Sequence, residues 1–307
     1  MIRIRSLLAL ALLGGSSALP AQQPPADYSK VQIRTTRLAD NFHTLEGING
    51  PVIGTVLMLS GPDGVLLVDG QFAQVNDKLV AAIRKISDKP VRFLVNTHLH
   101  SDHTSGNESF AKQGAVIFSR DQLRWRMAHP NPSANGQPGR PAAALALPVV
   151  TYDNPVTIHM NGEDVQLIPI RAAHTDGDTL IYFPTVDVLA TGDYFRTEGY
   201  PRVDRRGGGS LAGLLAGLGE TIGKAGPKTR VVPGHGPITD RNGLIEQRDM
   251  ILAMRDRIAP LVKQGRTVEE VLATKPTAEF DAKVRQGEEE TTEQFVRWLY
   301  AELQAAG

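Results

Sequence analysis

The 307-residue chain contains no cysteine. That excludes a disulfide framework, a thiolate-bound zinc, an iron–sulfur cluster and a cysteine nucleophile, so any metal must be held by His, Asp or Glu. Net charge is also lacking, with 33 Lys+Arg against 33 Asp+Glu. A protein that tracks phosphates needs a basic excess to displace counterions, and this balance argues against a nucleic-acid binder. No internal repeat and no clear two-domain boundary are present. What remains, 41% apolar and 21% charged residues, is ordinary globular material.

The N-terminus reads as an address. Arg3 and Arg5 precede an apolar run from Leu7 to Leu13, followed by Gly14, Gly15, Ser16, Ser17 and Ala18, with a second small residue at Ala21. This is the layout of a signal peptide over residues 1–21, compatible with cleavage after Ala18 or after Ala21. The run is far shorter than the roughly 20 residues that span a bilayer, and without a Cys in the cleavage zone a lipid anchor is excluded. The expected location is therefore periplasmic or secreted, with no stable membrane anchor. Residues 22–30 are Gln/Pro-rich and read as a flexible lead-in. Residues 31–307 are expected to form one domain ending in helices.

Short β runs alternate with turns and helices from Val31 to about Pro237. Strands are expected at Val31 to Arg37, Phe42 to Leu45, Gly54 to Ser60, Val65 to Asp69, Val91 to Thr97, Ala115 to Ser119, Val165 to Ile170, Thr179 to Phe183, Val188 to Thr191 and Arg230 to Val232. Several are continuous apolar runs, the pattern of strands covered on both faces. Gly61-Pro62-Asp63-Gly64 marks a hairpin. Helices are expected at Phe72 to Ile86, Asp121 to Met127, Leu211 to Ile222 with Ser210 as N-cap, Arg241 to Lys263, Val268 to Ala273 and Thr291 to Leu303. Together these suggest an α/β sandwich. The Pro/Gly/Ala-rich segment from His129 to Pro148 has the character of a lid or binding loop.

The decisive stretch is Thr97-His98-Leu99-His100-Ser101-Asp102-His103, at the end of an apolar strand. In an extended segment residues i and i+2 share a face, so His98 and His100 can reach one metal. The chain must then turn, and Asp102 with His103 can address a second position. Three further segments, around His174, Asp193 and His235, each place a ligand-type residue just beyond a strand and beside glycine. In α/β sheets that edge is where sites collect.

This set, with Leu67-Val68-Asp69-Gly70 before it, resembles the metallo-β-lactamase superfamily, in the order His-x-His-x-Asp-His, His174, Gly192-Asp193 and Pro233-Gly234-His235-Gly236. The resemblance implies a four-layer αββα sandwich and two Zn2+ ions per chain. It also implies that His98, His100 and His174 hold the first metal, that Asp102, His103 and His235 hold the second, and that Asp193 bridges them. Asp69 would orient ligands or the motif loop from outside the ligand set. A water between two such ions is acidified to a pKa of about 7 and becomes a hydroxide nucleophile at neutral pH, with Asp102 as a candidate to orient it and relay its proton.

Other residues carry weaker signals. Trp125, Tyr194 and Tyr200 are substrate-pocket candidates, with ordinary packing as the competing reading. Asp176 and Asp178 crowd His174, as a ligand-orienting group or as turn carboxylates. His43 and His129 fall outside any ligand spacing, and His159 reads as an exposed strand residue. Asn107-Glu108-Ser109 fits a glycosylation triplet by coincidence. Gly207 to Gly209 reads as a flexible lead into a helix.

The superfamily acts on many substrates, so the fold does not choose one. Zero cysteine rules out the β-lactamases with a Cys ligand. The Asp-His-His subclass is compatible but generally lacks a bridging carboxylate, and Asp193 is more similar to the thioesterase, lactonase and phosphodiesterase branches. The export signal argues against a dedicated glutathione thioesterase, and neutral charge against a nuclease. The expectation is an exported zinc hydrolase of a small carbonyl substrate, of β-lactam, lactone or ester class. The alternatives are a thioester hydrolase resembling hydroxyacylglutathione hydrolase, a mononuclear iron persulfide dioxygenase, and a non-catalytic metal-binding protein. Oligomeric state is left open, because amphipathic C-terminal helices can pack on their own sandwich or on a second subunit.

Overall fold

The run Val65-Leu66-Leu67-Val68 is apolar at every position because both faces of its strand are covered. Val65 and Leu67 belong to one core cluster, Leu66 and Val68 to another. The computed structural model that shows this describes residues 26–133, 135–282, 284 and 292–306. The signal-peptide residues 1–21, with both cleavage positions, and the expected helix start at Thr291 lie outside the described residues.

Among the described residues, a seven-stranded sheet runs in the order β1 (Gln32–Ala39), β2 (Phe42–Ile48), β3 (Val56–Gly61), β4 (Gly64–Val68), β5 (Val91–Val95), β6 (Val116–Arg120), β7 (Val150–Tyr152). The first four strands are antiparallel, and β4 to β7 are parallel. A five-stranded sheet contains β8 (Val156–Met160), β9 (Glu163–Pro169), β10 (Thr179–Phe183), β11 (Val188–Gly192) and β12 (Arg230–Pro233), with β11 and β12 parallel. The sheets face each other across Leu57, Leu59, Leu66, Leu167, Ile181 and Val232. Phe42 and Phe183 meet edge-on there, with ring centroids 4.7 Å apart.

The outer faces are covered by helices. Helix α1 (Asn76–Ile86) packs Leu79 and Ile83 on the first sheet, beside Phe110 of α3 (Asn107–Lys112). The motif turn forms α2 (Ser101–Thr104), and α4 (Asp121–Ala128) follows β6. On the second sheet lie α5 (Leu211–Lys224), α6 (Arg241–Lys263), α7 (Val268–Ala273), α8 (Ala278–Asp281) and α9 (Thr292–Ala306). The arrangement is the expected αββα sandwich. Helix α9 buries Phe295, Val296 and Leu299 with Ile251, Met254 and Ile258 of α6, so its apolar face is covered by its own chain.

Local chemistry explains the boundaries. Asp63 and Asn161 exchange backbone-to-side-chain bonds at 2.9 and 2.8 Å, pinning the hairpin between β3 and β4 against the one between β8 and β9. The Ser210 hydroxyl caps α5 by accepting from the Gly213 amide. Gly207 to Gly209 are not a loose lead: Gly208 bridges Thr175, and a side chain at Gly209 would collide with the His174 carbonyl. Strand β7, three residues before Asp153-Asn154-Pro155, is too short to show a period, and the sequence reading missed it. His159 does stand exposed on β8, paired with Asp164 at 2.6 Å.

Phe183→Ala, which removes one half of the aromatic contact between the sheets, is expected to lower unfolding stability by about 3–5 kcal/mol. Chemical denaturation followed by circular dichroism measures it, and a loss below about 1 kcal/mol would show that the sheet interface does not depend on this ring.

Candidate metal centre

The motif loop leaves β5 under tight control. Asn96, fully buried, exchanges amide bonds with Asn107 at 3.1 and 2.8 Å and donates to the His103 carbonyl at 3.2 Å. Asp69, in a left-handed conformation (φ 68), accepts from the Thr97 amide at 2.8 Å, the Thr97 hydroxyl at 2.7 Å and His103 Nδ1 at 2.7 Å. One carboxylate thus holds both ends of the loop. The buried Asn107 leaves no room for a glycan. Between the sheets, Thr179 N donates to the Thr97 carbonyl and Thr55 N to the Gly234 carbonyl, both at 2.8 Å. These bonds tie the end of β5 to the start of β10, and the lead into β3 to the end of β12.

Two ligand groups result: His98, His100, His174 and Asp193, and Asp102, His103, Asp193 and His235. In each, the candidate ligand atoms lie within 4.8 Å of one another. In the first, His100 Nδ1 is 3.2 Å from His98 Nε2 and 2.9 Å from His174 Nε2, and Asp193 Oδ2 is 3.7 and 3.9 Å from His98 and His174. In the second, Asp102 Oδ2 is 3.1 Å from His103 Nε2 and 3.0 Å from His235 Nε2. Asp193 places Oδ1 3.3 Å from the former and Oδ2 3.2 Å from the latter.

The donor set fits metal ions. Tetrahedral ligands at 2.0–2.1 Å from zinc stand about 3.3 Å from one another, which these separations bracket. His103 Nε2, His235 Nε2 and Asp193 Oδ1 are buried without a hydrogen-bond partner, although each faces another lone-pair atom at close range. A buried polar atom without a partner costs about 1–3 kcal/mol, and a shared cation removes that cost. Gly234 is required here, because any side chain would strike the Asp193 carboxylate.

The electrostatics divide the two groups. Burial, reinforced by the neighbouring imidazoles, holds His98 far below the ordinary histidine pKa and takes His174 down to about 3, so both offer neutral lone pairs. Burial opposes charge at His103 and His235 as well. There the carboxylates win: Asp102, Asp69 and Asp193 push His103 well up, and Asp193 with Asp102 raises His235 to about 9. Burial would raise Asp102 and Asp193, but the facing imidazoles hold both well below the carboxylate range.

The sequence reading missed Asp204, which nothing in its surroundings, Val203 and Arg205-Arg206, marks as part of the site. Its Oδ2 lies 3.0 Å from His100 Nε2, and its Oδ1 accepts from the Gly207 amide. The tautomer that leaves His100 Nδ1 free to bind is thereby favoured. His174 is set by the Arg202 carbonyl, 2.8 Å from Nδ1. Neither Asp176 nor Asp178 bonds the His174 ring. Asp176 pairs with Arg126, and Asp178 caps the Thr175 amide and hydroxyl.

The aromatic candidates are not brought to the ligands. Tyr194 is buried in the helix-side core, its hydroxyl 2.8 Å from that of Thr221. Tyr200 is buried against Phe295 and donates to Asp281 at 2.7 Å. Trp125 stands 51% exposed, stacked on His129. Of the two cavities beside the centre, one of about 440 Å³ is bordered by Thr55, Glu198 and His235 and the loop from Gly47 to Ile53. The other, about 270 Å³, lies between Leu99, Asp204 and the Pro130–Pro132 stretch of the long loop. None of the three aromatics lines either.

Asp204→Ala is expected to weaken metal binding at the His100 group about 10–100-fold, measured by competition with a fluorescent chelator. Unchanged affinity would mean that the contact is incidental.

Comparison with known proteins follows the geometry. The family model described as the metallo-beta-lactamase superfamily matches residues 49–236. Over 60 residues the chain is 40% identical to a linear primary-alkylsulfatase of Pseudomonas sp. (strain ATCC 19151), a stretch covering 19% of this chain and 11% of that protein. Over 196 residues it is 20% identical to a metallo-beta-lactamase type 2 of Bacillus cereus, covering 64% of this chain and 72% of that one. Among solved structures, a metallo-beta-lactamase from Pontibacter korlensis superposes with a TM-score of 0.59 at 20% identity, covering 72% of this chain and 99% of that one. The sec-alkylsulfatase Pisa1 from Pseudomonas sp. gives 0.67 at 17% identity over 87% of this chain, which spans half of that protein's length. With more than half of its length matched by that family model, the chain belongs to the metallo-beta-lactamase superfamily, a family of hydrolases.

Proposed function

We propose that this protein is an exported hydrolase that carries two zinc ions and cleaves a small carbonyl compound of β-lactam, lactone or ester class. The observation that carries the reading is the sharing of Asp193 by two buried ligand groups, each with its candidate atoms within 4.8 Å. When bound, a zinc pair supplies Lewis acidity toward a carbonyl oxygen and acidifies water.

The chain's own residues do the rest. Asp193, 7% exposed, is committed to holding the two groups together, whereas Asp102 keeps 13% of its side chain in solvent. Asp102 is therefore the carboxylate with solvent access, placed to orient an incoming water. Asp69 and Thr97 keep the loop that presents it from relaxing. The cavity of about 440 Å³ beside His235 is of the size that encloses a small molecule. No helix among the described residues is long and apolar enough to cross a membrane, and export rests on the N-terminal pattern alone.

The similarity to alkylsulfatases favours a second reading, hydrolysis of a sulfate ester on the same groups. Thioester hydrolysis, iron-dependent persulfide oxidation and metal binding without turnover are distinguished by the same experiment. Purified mature protein is analysed for metal and assayed with nitrocefin, a carbapenem, a thioester, a homoserine lactone, bis-p-nitrophenyl phosphate and an alkyl sulfate. Two zinc equivalents and turnover of a carbonyl substrate are expected, lost on chelation and restored by zinc. One iron with oxygen consumption would overturn the proposal, as would bound metal without turnover on any substrate. Turnover confined to the alkyl sulfate would select the second reading. Asp102→Asn is expected to lower kcat about 10²–10⁴-fold, and His100→Ala to reduce bound zinc from two equivalents to about one.

A further inference from the structure

Two stretches of chain meet behind the first ligand group. Residues 170–178 carry His174, and residues 202–209 carry Asp204. Their backbones are bonded to each other: Asp204 N donates to the His174 carbonyl and Asp176 N to the Gly207 carbonyl, both at 2.9 Å. The first stretch presents the His174 imidazole. The second presents the Arg202 carbonyl to His174 Nδ1 at 2.8 Å and the Asp204 carboxylate to His100 Nε2 at 3.0 Å. The geometry of the first group therefore depends on the register of these two stretches.

Arg126 on α4 grips both at once. Its Nε and Nη2 donate to the two carboxylate oxygens of Asp176, each at 2.6 Å, and its Nη1 donates to the Arg206 carbonyl at 2.9 Å. A planar guanidinium serves a carboxylate and a carbonyl together in a fixed fork, which the point charge of a lysine does not. The pair is largely shielded, with 16% and 20% of the two side chains exposed. It lies directly over the junction, because a side chain at Gly208 would strike both the Asp176 carboxylate and Arg126 Nη2. Leu123, three residues earlier on α4, packs so closely that a Cβ at Gly177 would stand 2.9 Å from it. Arg120 holds the His174 stretch through the Ile170 and Asp176 carbonyls at 2.9 and 2.6 Å. The second ligand group is held from another side, by Asp69 at His103 Nδ1 and Asn96 at the His103 carbonyl.

We propose that Arg126 is a positioning residue for the His98, His100 and His174 group, and that its pair with Asp176 sets the affinity of that group for its metal while leaving the other group unchanged. The proposal rests on the two-metal hydrolase reading and deepens it: the two positions are tuned from different parts of the fold, one from α4 and one from the loop after β5. It also gives Asp176 a role that its place beside His174 in the chain leaves open. Ligands must be held to within about 0.5 Å of their working geometry. A slip between the two stretches would displace His174 and the Asp204 contact to His100 together.

The test is the zinc affinity of each position, by competition with chelators of graded strength, together with the absorption bands of the cobalt-substituted protein. Arg126→Met is expected to weaken one position about tenfold and leave the other within about twofold. The cobalt bands it disturbs should be those that Asp204→Ala disturbs. Arg126→Lys leaves no carboxylate without a cation but loses the fork, and should weaken the same position at least about threefold. Asn131→Ala removes another donor to the Arg206 carbonyl and spares the clamp, so both affinities should stay as they are. Equal weakening of both positions by Arg126→Met would mark a general loss of stability and overturn the assignment. Unchanged affinities in both Arg126 variants would do the same, as would Asn131→Ala matching Arg126→Met. An unmodified protein that binds fewer than two zinc ions would overturn the two-metal reading, and this assignment with it.

Discussion

The structure depends on one constraint: three carboxylates, those of the buried Asp69 and Asp193 and the part-buried Asp102, lie within reach of His103. Taking so many anions out of water is costly unless every one is compensated. Asp69 is compensated by chain-derived donors, Thr97 and His103. Asp102 and Asp193 are compensated by imidazoles, and these carboxylates in turn push the pKa of His103 well up and that of His235 to about 9. A divalent cation can replace those protons, and binding it then stabilises the folded arrangement as well as preparing it for chemistry.

That cluster can exist only because the sandwich delivers its parts from separate stretches of chain. The sheet interface is almost wholly apolar, non-directional and indifferent to which polar residues occupy the strand ends. Directional bonds supply the register: Thr179 to Thr97 and Thr55 to Gly234 stitch one sheet to the other at the site, and Asn96 with Asn107 fixes the loop behind the ligands. Where the backbone crowds the carboxylate, glycine at 234 is the only residue type that fits.

The misplaced residues show how far sequence reasoning reaches. Tyr194 was a pocket candidate, but it stands next to Asp193 in the turn that follows β11, and there the two side chains leave in different directions. Once Asp193 faces the ligands, Tyr194 is sent into the helix layer, to Thr221. Asp204 was missed for the converse reason. It is remote from every motif along the chain, and only the fold of the segment after Asp193 brings it to His100. Tyr28 lies in a stretch whose Gln/Pro-rich beginning suggests looseness, and the three bonds from Lys78 that hold it cross about 50 residues.

The sequence by itself determined most of the elements and the ligand types, and its resemblance to a known family implied the layering. Period-two burial, continuous apolar runs and turn residues are local signals, and the spacing of His98, His100, Asp102 and His103 is a local geometry. With no cysteine available, the donors had to be imidazole and carboxylate. Only the tertiary structure decided which further groups join the site: that Asp204 and the Arg202 carbonyl set the tautomers of His100 and His174, and that Tyr194 turns away from it into the helix layer. The physical reason is that a ligand's neighbours are selected by packing between distant segments. Directional bonds of 2.7–3.2 Å acting across sheets and layers leave no periodic trace in the chain that makes them.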